Sequence, residues 1–186
     1  MKAILGISNK HVHLTEEDYK ILFGDEPLGV VKELRQPGQF SSDKKVSIKT
    51  EKRQFDNVRL LGPFRSYTQV EISKTDSIGL GLDPPVRNSG DLEGAAPITI
   101  IGPQGEVTKN CCILANRHLH INPREREELG LVGVEKVSCR IEGEKPTVFE
   151  NVFLKESEDF VLELHLDTDD GNGALAKTGE EVEIFI

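Results

Sequence analysis

The chain has 186 residues, 32 acidic against 23 basic side chains, and a net charge of −9. That length suits one or two compact domains, and the acidic balance excludes a surface that tracks nucleic-acid phosphates, which needs a basic excess. No apolar run approaches the roughly 20 residues that span a bilayer, and three cysteines without a C-x-x-C pair fit a reducing compartment rather than a disulfide framework.

In chain order, residues Ser8 to Asp18 read SNKHVHLTEED. Thr15 is expected to cap a helix running to Phe23, with Asp18 closing an S/T-x-x-D/E pattern and Gly24 as the stop. Strands are predicted at Val46–Thr50, Asn57–Leu61 and Thr68–Ser73, which are short, β-branched or alternating and bounded by turn residues. The Gly- and Pro-rich segment Gly79–Ala96 (GLGLDPPVRNSGDLEGAA) either links two halves or covers a site. Strands follow at Ile98–Ile101 and Val107–Leu114, where Cys111 and Cys112 sit in an apolar run and read as buried packing. Residues Ala115 to Glu125 read ANRHLHINPRE, and Asn122 is expected to cap a second helix with Pro123 at its first position and Gly130 as its stop. Val134–Ile141, Val148–Leu154, Phe160–Leu166 and Val182–Ile186 complete the predicted strands.

Two pairs of phrases repeat. SNKHVHLTEED and ANRHLHINPRE both place His-x-His after an Asn-basic lead-in and before a helix start. Phe55-Asp56-Asn57-Val58 matches Phe149-Glu150-Asn151-Val152 at an offset of 94, which carried forward sets Glu71 opposite His165. The repeat predicts a mainly β fold of two small β-barrel domains, each with a short capping helix. The first half with its connecting segment is expected at 1–96 and the second at 97–186, with strands free to exchange between them.

All five histidines fall into this pattern. Residues two apart on a strand share a face, so His11 and His13 can converge with Glu71, and His118 and His120 with His165. Imidazole and carboxylate suit zinc or another late first-row metal, and three protein ligands leave a position open for chemistry. The plain alternatives are surface histidines and a solvated strand glutamate. Alternation puts Glu163 and Asp167 on the face of His165, with Asp167 either a carboxylate partner for an imidazole or a turn residue. Arg65, after Gly62-Pro63, is a candidate anion-binding guanidinium. Arg87 lies in PPVRNSG, which fits a preformed substrate loop or an ordinary linker. No nucleophile motif, P-loop or dinucleotide fingerprint is present.

The phrases SNKHVHLTEED, QPGQF, LLGPFRSYTQVEIS, PPVRNSGDLEG, ANRHLHINPRE and LELHLDTDD together resemble the PduL-type phosphate acyltransferases, the phosphate propanoyltransferase family of phosphotransacylases. The resemblance runs in the same order from about Ile7 to the C-terminus. It implies two β-barrels with short helical caps, a dimetal zinc site, and interconversion of acyl-CoA plus phosphate with acyl phosphate plus CoA. The metal roles fall on His11, His13 and Glu71 for one ion and His118, His120 and His165 for the other. The phosphate-pocket arginine falls on Arg65, and the CoA contacts on Ser8, Lys32, Arg59, Leu61 and Asn172. Phe64, Ser66 and Tyr67 depart from the smaller or more basic surroundings expected of that arginine. The implied cofactor is two zinc ions per chain, and the implied substrates are inorganic phosphate and the CoA ester of a short acyl group, propanoyl or acetyl. The mechanism expected is direct phosphate attack rather than an acyl-enzyme. No membrane partner is expected, and the oligomeric state is open, a homodimer included. Compartment-targeted relatives carry an N-terminal extension; with ten residues before His11, a cytoplasmic enzyme is expected. Two other classes use similar residues: a bicupin-like oxygenase or isomerase, and a non-catalytic zinc-binding module.

Overall fold

The computed structural model describes all residues 1–186. Its elements in chain order are β1 (Lys2–Ser8), β2 (His11–His13), α1 (Glu16–Phe23), β3 (Val30–Glu33), β4 (Phe40–Lys49), β5 (Gln54–Gly62), β6 (Gln69–Glu71), α2 (Lys74–Leu80), β7 (Val86–Arg87), β8 (Ala96–Ile101), β9 (Glu106–Ala115), β10 (His118–Ile121), α3 (Pro123–Glu128), β11 (Lys136–Ile141), β12 (Thr147–Glu156), β13 (Glu163–Asp167), α4 (Thr168–Ala174) and β14 (Glu181–Phe185). The fold is mainly β, with two closed six-stranded barrels, as the repeat predicts. No helix is long and apolar enough to cross a membrane.

The chain divides into two compact units, Lys10–Ala115 and Met1–Asn9 with Asn116–Ile186. In the unit of Lys10–Ala115 the barrel runs β9-β6-β2-β5-β4-β8, and β8 closes it by pairing with both β4 and β9. Strands β3 and β7 add to its outside, on β4 and β9. In the other unit the barrel runs β1-β13-β10-β12-β11-β14. Strand by strand the two agree in sense. β2 is parallel to β5 and antiparallel to β6, and β10 is parallel to β12 and antiparallel to β13.

The units do not follow the expected division at 96/97. β8 and β9 form an antiparallel hairpin that completes the barrel of Lys10–Ala115, and β1 completes the barrel of the later residues by pairing with β13 and β14. In each repeat the strand before His-x-His thus enters the barrel of the other repeat. Closure removes the unpaired edges that an open sheet exposes. Each barrel encloses its own apolar core, one built around Val12, Leu22, Ile48, Leu60 and Ile100, the other around Leu5, Leu119, Ile121, Leu164 and Ile184.

The repeated Phe-x-Asn-Val phrase has a physical role in both barrels. Val58 and Val152 are core residues. Asn57 and Asn151 hold positive φ values of 59° and 56°, in the left-handed region that Asn tolerates better than most residues. Each lies where the ladder skips a residue, between the pairs Val46↔Val58 and Ile48↔Phe55, and between Val137↔Val152 and Cys139↔Phe149. The phrase therefore marks a β-bulge that bends the long strand around its barrel.

The helices differ from expectation in number, two per unit rather than one. α1 has the expected start and stop: the Thr15 side chain accepts from Asp18 N, and Gly24 is the C-cap. The Asp18 carboxylate, however, takes Lys109 Nζ at 2.7 and 2.6 Å and the Thr68 hydroxyl. α3 has a complete capping box on Asn122 and Glu125, with Pro at its start. The unexpected α2 and α4 are single short helices of low intrinsic propensity, TDDGNGA having two glycines. Their caps, Ser73 and Asp167, accept from the backbone N–H groups of Asp76 and Asp170 at 3.2 and 2.9 Å.

Candidate functional site

Antiparallel pairing builds the same square of polar side chains in each unit. On β2 and β6, His11 faces Glu71 and His13 faces Gln69. On β10 and β13, His118 faces His165 and His120 faces Glu163. Directly opposed residues of an antiparallel pair put their side chains on one face, so each square points four polar groups the same way. His11, His13, Gln69, Glu71, His120 and Glu163 are all buried.

Three corners of each square converge. The ligand atoms of His11, His13 and Glu71 lie within 4.8 Å of one another, and so do those of His118, His120 and His165. His11 Nε2 is 3.5 Å from Glu71 Oε2. His118 Nδ1 meets the Asn116 carbonyl at 2.8 Å. A carbonyl only accepts, so Nδ1 carries the proton and Nε2 keeps its lone pair for a metal. His165 Nε2 is buried and makes no hydrogen bond, although Glu163 Oε2 lies 3.0 Å away. Imidazole nitrogens gathered in threes, or in a pair with a carboxylate, are the donor chemistry of zinc and its late first-row neighbours, so both sets fit such an ion.

The residue before each His-x-His fixes the strand that carries it. Lys10 Nζ binds Asp76 Oδ1 at 2.9 Å and lies over the Phe55 ring at 5.3 Å. Arg117 forks onto Asp170 at 2.7 and 2.9 Å, over the Phe149 ring at 4.8 Å. Asp76 and Asp170 belong to α2 and α4, which begin just past Glu71 and His165. The lead-in base thereby ties the first two members of each set to the helix that follows the third. This assigns Asp167 as the α4 cap, not a partner of an imidazole, and burial pushes its carboxyl above the ordinary range.

Around the first set, Arg65 and the Gly/Pro-rich loop are anchored. Arg65 N donates to the Leu14 carbonyl at 2.9 Å, just beyond β2. Its Nη2 donates to Gln39 Oε1 at 2.6 Å, and its buried Nε has no hydrogen-bond partner. Gln69 Nε2 donates to Glu71 Oε1 at 2.5 Å and to Ser89 Oγ at 2.9 Å, while Gly90 N donates back to Gln69 Oε1 at 2.8 Å. Segment Gly79–Ala96 is thus fastened beside Glu71. Arg87 is engaged in its own loop, with Nε on the Glu93 carbonyl at 2.9 Å and Nη1 on that of Val86 at 3.0 Å.

Arg59 is the register partner of His11 and donates Nη1 to the Ser42 carbonyl at 3.0 Å. Lys32 and Leu61 both pair with Ser41, Lys32 being exposed. Ser8 pairs with Asp167 on β1, and Asn172 is exposed in α4; both belong to the unit of Met1–Asn9 and Asn116–Ile186. Cys111, Cys112 and Cys139 are buried free thiols, and burial pushes them up to about 12, 12 and 11. Gln39 and Gln69 did not stand out in the sequence. The available signal for Gln69 was its alternation with Glu71 and its 94-residue offset from Glu163.

The phosphate propanoyltransferase family profile matches residues 4–177. A Thermotoga maritima protein named phosphate propanoyltransferase is 48% identical over 184 residues, covering 97% of this chain and 88% of its own. A Citrobacter freundii protein of the same name is 45% identical over 91% of this chain and 82% of its own. One from Alkaliphilus metalliredigens is 41% identical, at 96% and 85%.

Proposed function

This chain belongs to the phosphate propanoyltransferase family of acyltransferases, and we propose that it interconverts a short-chain acyl-CoA plus phosphate with acyl phosphate plus CoA, using one zinc ion in each histidine set. The supporting observation is the duplicated donor square, buried in the first unit and partly buried in the second, in a chain whose relatives are named for this transfer. A cupin-like oxygenase and a non-catalytic zinc module fall away with the family result.

His11, His13 and Glu71 would hold one ion, and His118, His120 and His165 the other. Bound there, zinc supplies Lewis-acid polarisation of a carbonyl oxygen and lowers the pKa of a leaving thiol. Arg65 holds the phosphate. Its planar fork matches two phosphate oxygens and stays charged throughout, and Gln39 fixes one arm while Nε remains available. Held so, a phosphate oxygen attacks the thioester carbonyl carbon directly. The tetrahedral adduct expels the CoA thiolate, leaving the acyl group on phosphate. Positioning lowers the barrier by removing the search for this geometry. The protonated cysteines offer no competing nucleophile. Propanoyl and acetyl differ by one methylene, worth only about 1–3 kcal/mol in a pocket, so both chains fall within the proposal.

One sample tests the reading. Protein never exposed to chelator should carry close to two zinc-like ions per chain and release free CoA from propanoyl-CoA when phosphate is added. Full activity in metal-free protein would remove the zinc assignment, and no transfer with any short acyl-CoA would remove the reaction.

A further inference from the structure

The two squares are alike in the two corners of the His-x-His pair and differ in the other two, where Glu71 and Gln69 of the first answer to His165 and Glu163 of the second. Opposite His13 stands Gln69, neutral and bonded to Glu71, Ser89 and Gly90. Opposite His120 stands Glu163, a carboxylate that is only 6% exposed. Each square therefore contains one carboxylate: Glu71 in the first and Glu163 in the second. The charge changes place between the corners, but its sum does not. Glu163 Oε2 lies 3.0 Å from His165 Nε2, against 3.5 Å between Glu71 Oε2 and His11 Nε2. In both squares a carboxylate oxygen adjoins a histidine nitrogen of the converging set.

The barrel also makes room for it. Gly6 on β1 pairs with His165, and a Cβ added there would stand 3.0 Å from Glu163 Oε1 and 3.4 Å from His165 Nε2. The equivalent residue beside Glu71 is Ile113, fully buried. The side chain is thus absent from the strand beside Glu163 and present on the strand beside Glu71. Burying a carboxylate is costly unless a positive partner compensates it, and a divalent ion held by three neutral imidazoles is such a partner.

We propose that Glu163 is the charge-compensating carboxylate of the three-histidine site, supplying beside that ion the negative charge that Glu71 supplies as a member of the other set. The inference rests on the zinc reading above. It makes Glu163 a positioning residue whose effect is on metal retention at one of two sites, and Gly6 the residue that admits it.

The test is metal affinity, read with a chromophoric chelator on zinc-loaded protein and compared with His118→Ala, which disables the second set. Wild-type protein should hold two ions. Glu163→Gln, of the same shape, should weaken one of them by about 10–100-fold, in the range seen when a group supporting a metal ligand is removed. It should be the same ion that His118→Ala abolishes, with the melting temperature of the metal-free protein unchanged. Gly6→Ala, which crowds the carboxylate without altering it, should weaken that ion too and serves if Glu163→Gln does not fold. Two ions retained at wild-type affinity in the variants would overturn the role of Glu163 and leave the zinc reading standing. A wild-type protein that binds fewer than two ions would remove both.

Discussion

Arg65 is held at two points, its backbone by Leu14 and its Nη2 by Gln39. In the phosphate-holding role proposed for it, fork geometry counts as well as charge. Arg65→Ala is expected to lower kcat/KM by about 100- to 1,000-fold, the scale of losing one preorganised donor. Arg65→Lys should recover only part, with zinc content intact in both. Near-normal phosphate kinetics in either would remove the phosphate role from Arg65. The cysteines sit at the opposite extreme. Burial holds Cys111 and Cys112 at about 12 and Cys139 at about 11, so near pH 8 they are thiols, whereas a nucleophile needs thiolate. Changing all three to Ala should leave transacylation standing, at a stability cost of about 1 kcal/mol or less per buried sulfur by loss of apolar contact. Steady-state kinetics should be sequential. A stable mass gain of one acyl group on wild-type protein mixed with acyl-CoA alone would contradict direct attack.

At the scale of elements, the histidine strands are very short, three and four residues, and hold their place through what borders them. The base before each pair reaches an Asp in the helix after the third member, over a Phe from the bulged neighbour strand. The bulge sets where that ring stands. Asn151→Gly, which keeps the positive φ accessible, should be close to neutral in thermal unfolding. Asn151→Val should destabilise by about 1–2 kcal/mol, because a β-branched residue resists the left-handed region. Equal melting temperatures for the two variants would mean that the bulge relaxes without strain. These elements also show why some were legible and others not. α1 and α3 announce themselves through capping residues and stop signals. α2 and α4 are too short and too poor in helix formers to show a period, and exist because Ser73 and Asp167 cap them where the strand ends.

At the scale of the whole molecule, the duplication was readable because two barrels of one design need the same residues at the same places. Histidines two apart must share a face of a strand, an Asn must sit at each bulge, and a base must precede each pair. Such demands are local, so they leave periodic traces: the mainly β class and both donor sets could be named from the sequence alone. Which strand completes which barrel leaves no such trace. β1 and β9 precede the histidine strands of their own repeats, yet each pairs into the barrel of the other. Hydrogen bonding along a ladder is the same whichever partner supplies it, so the choice falls to closure and core packing, which join residues far apart in the chain. The fourth corner of each square was settled the same way. Alternation placed Glu163 on the face of His165, but only cross-strand register set it opposite His120 and only the missing side chain of Gly6 gave it space. The sequence by itself determined which chemical groups come in matched sets, because strand periodicity is a local property. The tertiary structure decided which groups stand opposite one another and how charge is shared among them, because register and barrel closure are set by contacts between distant segments.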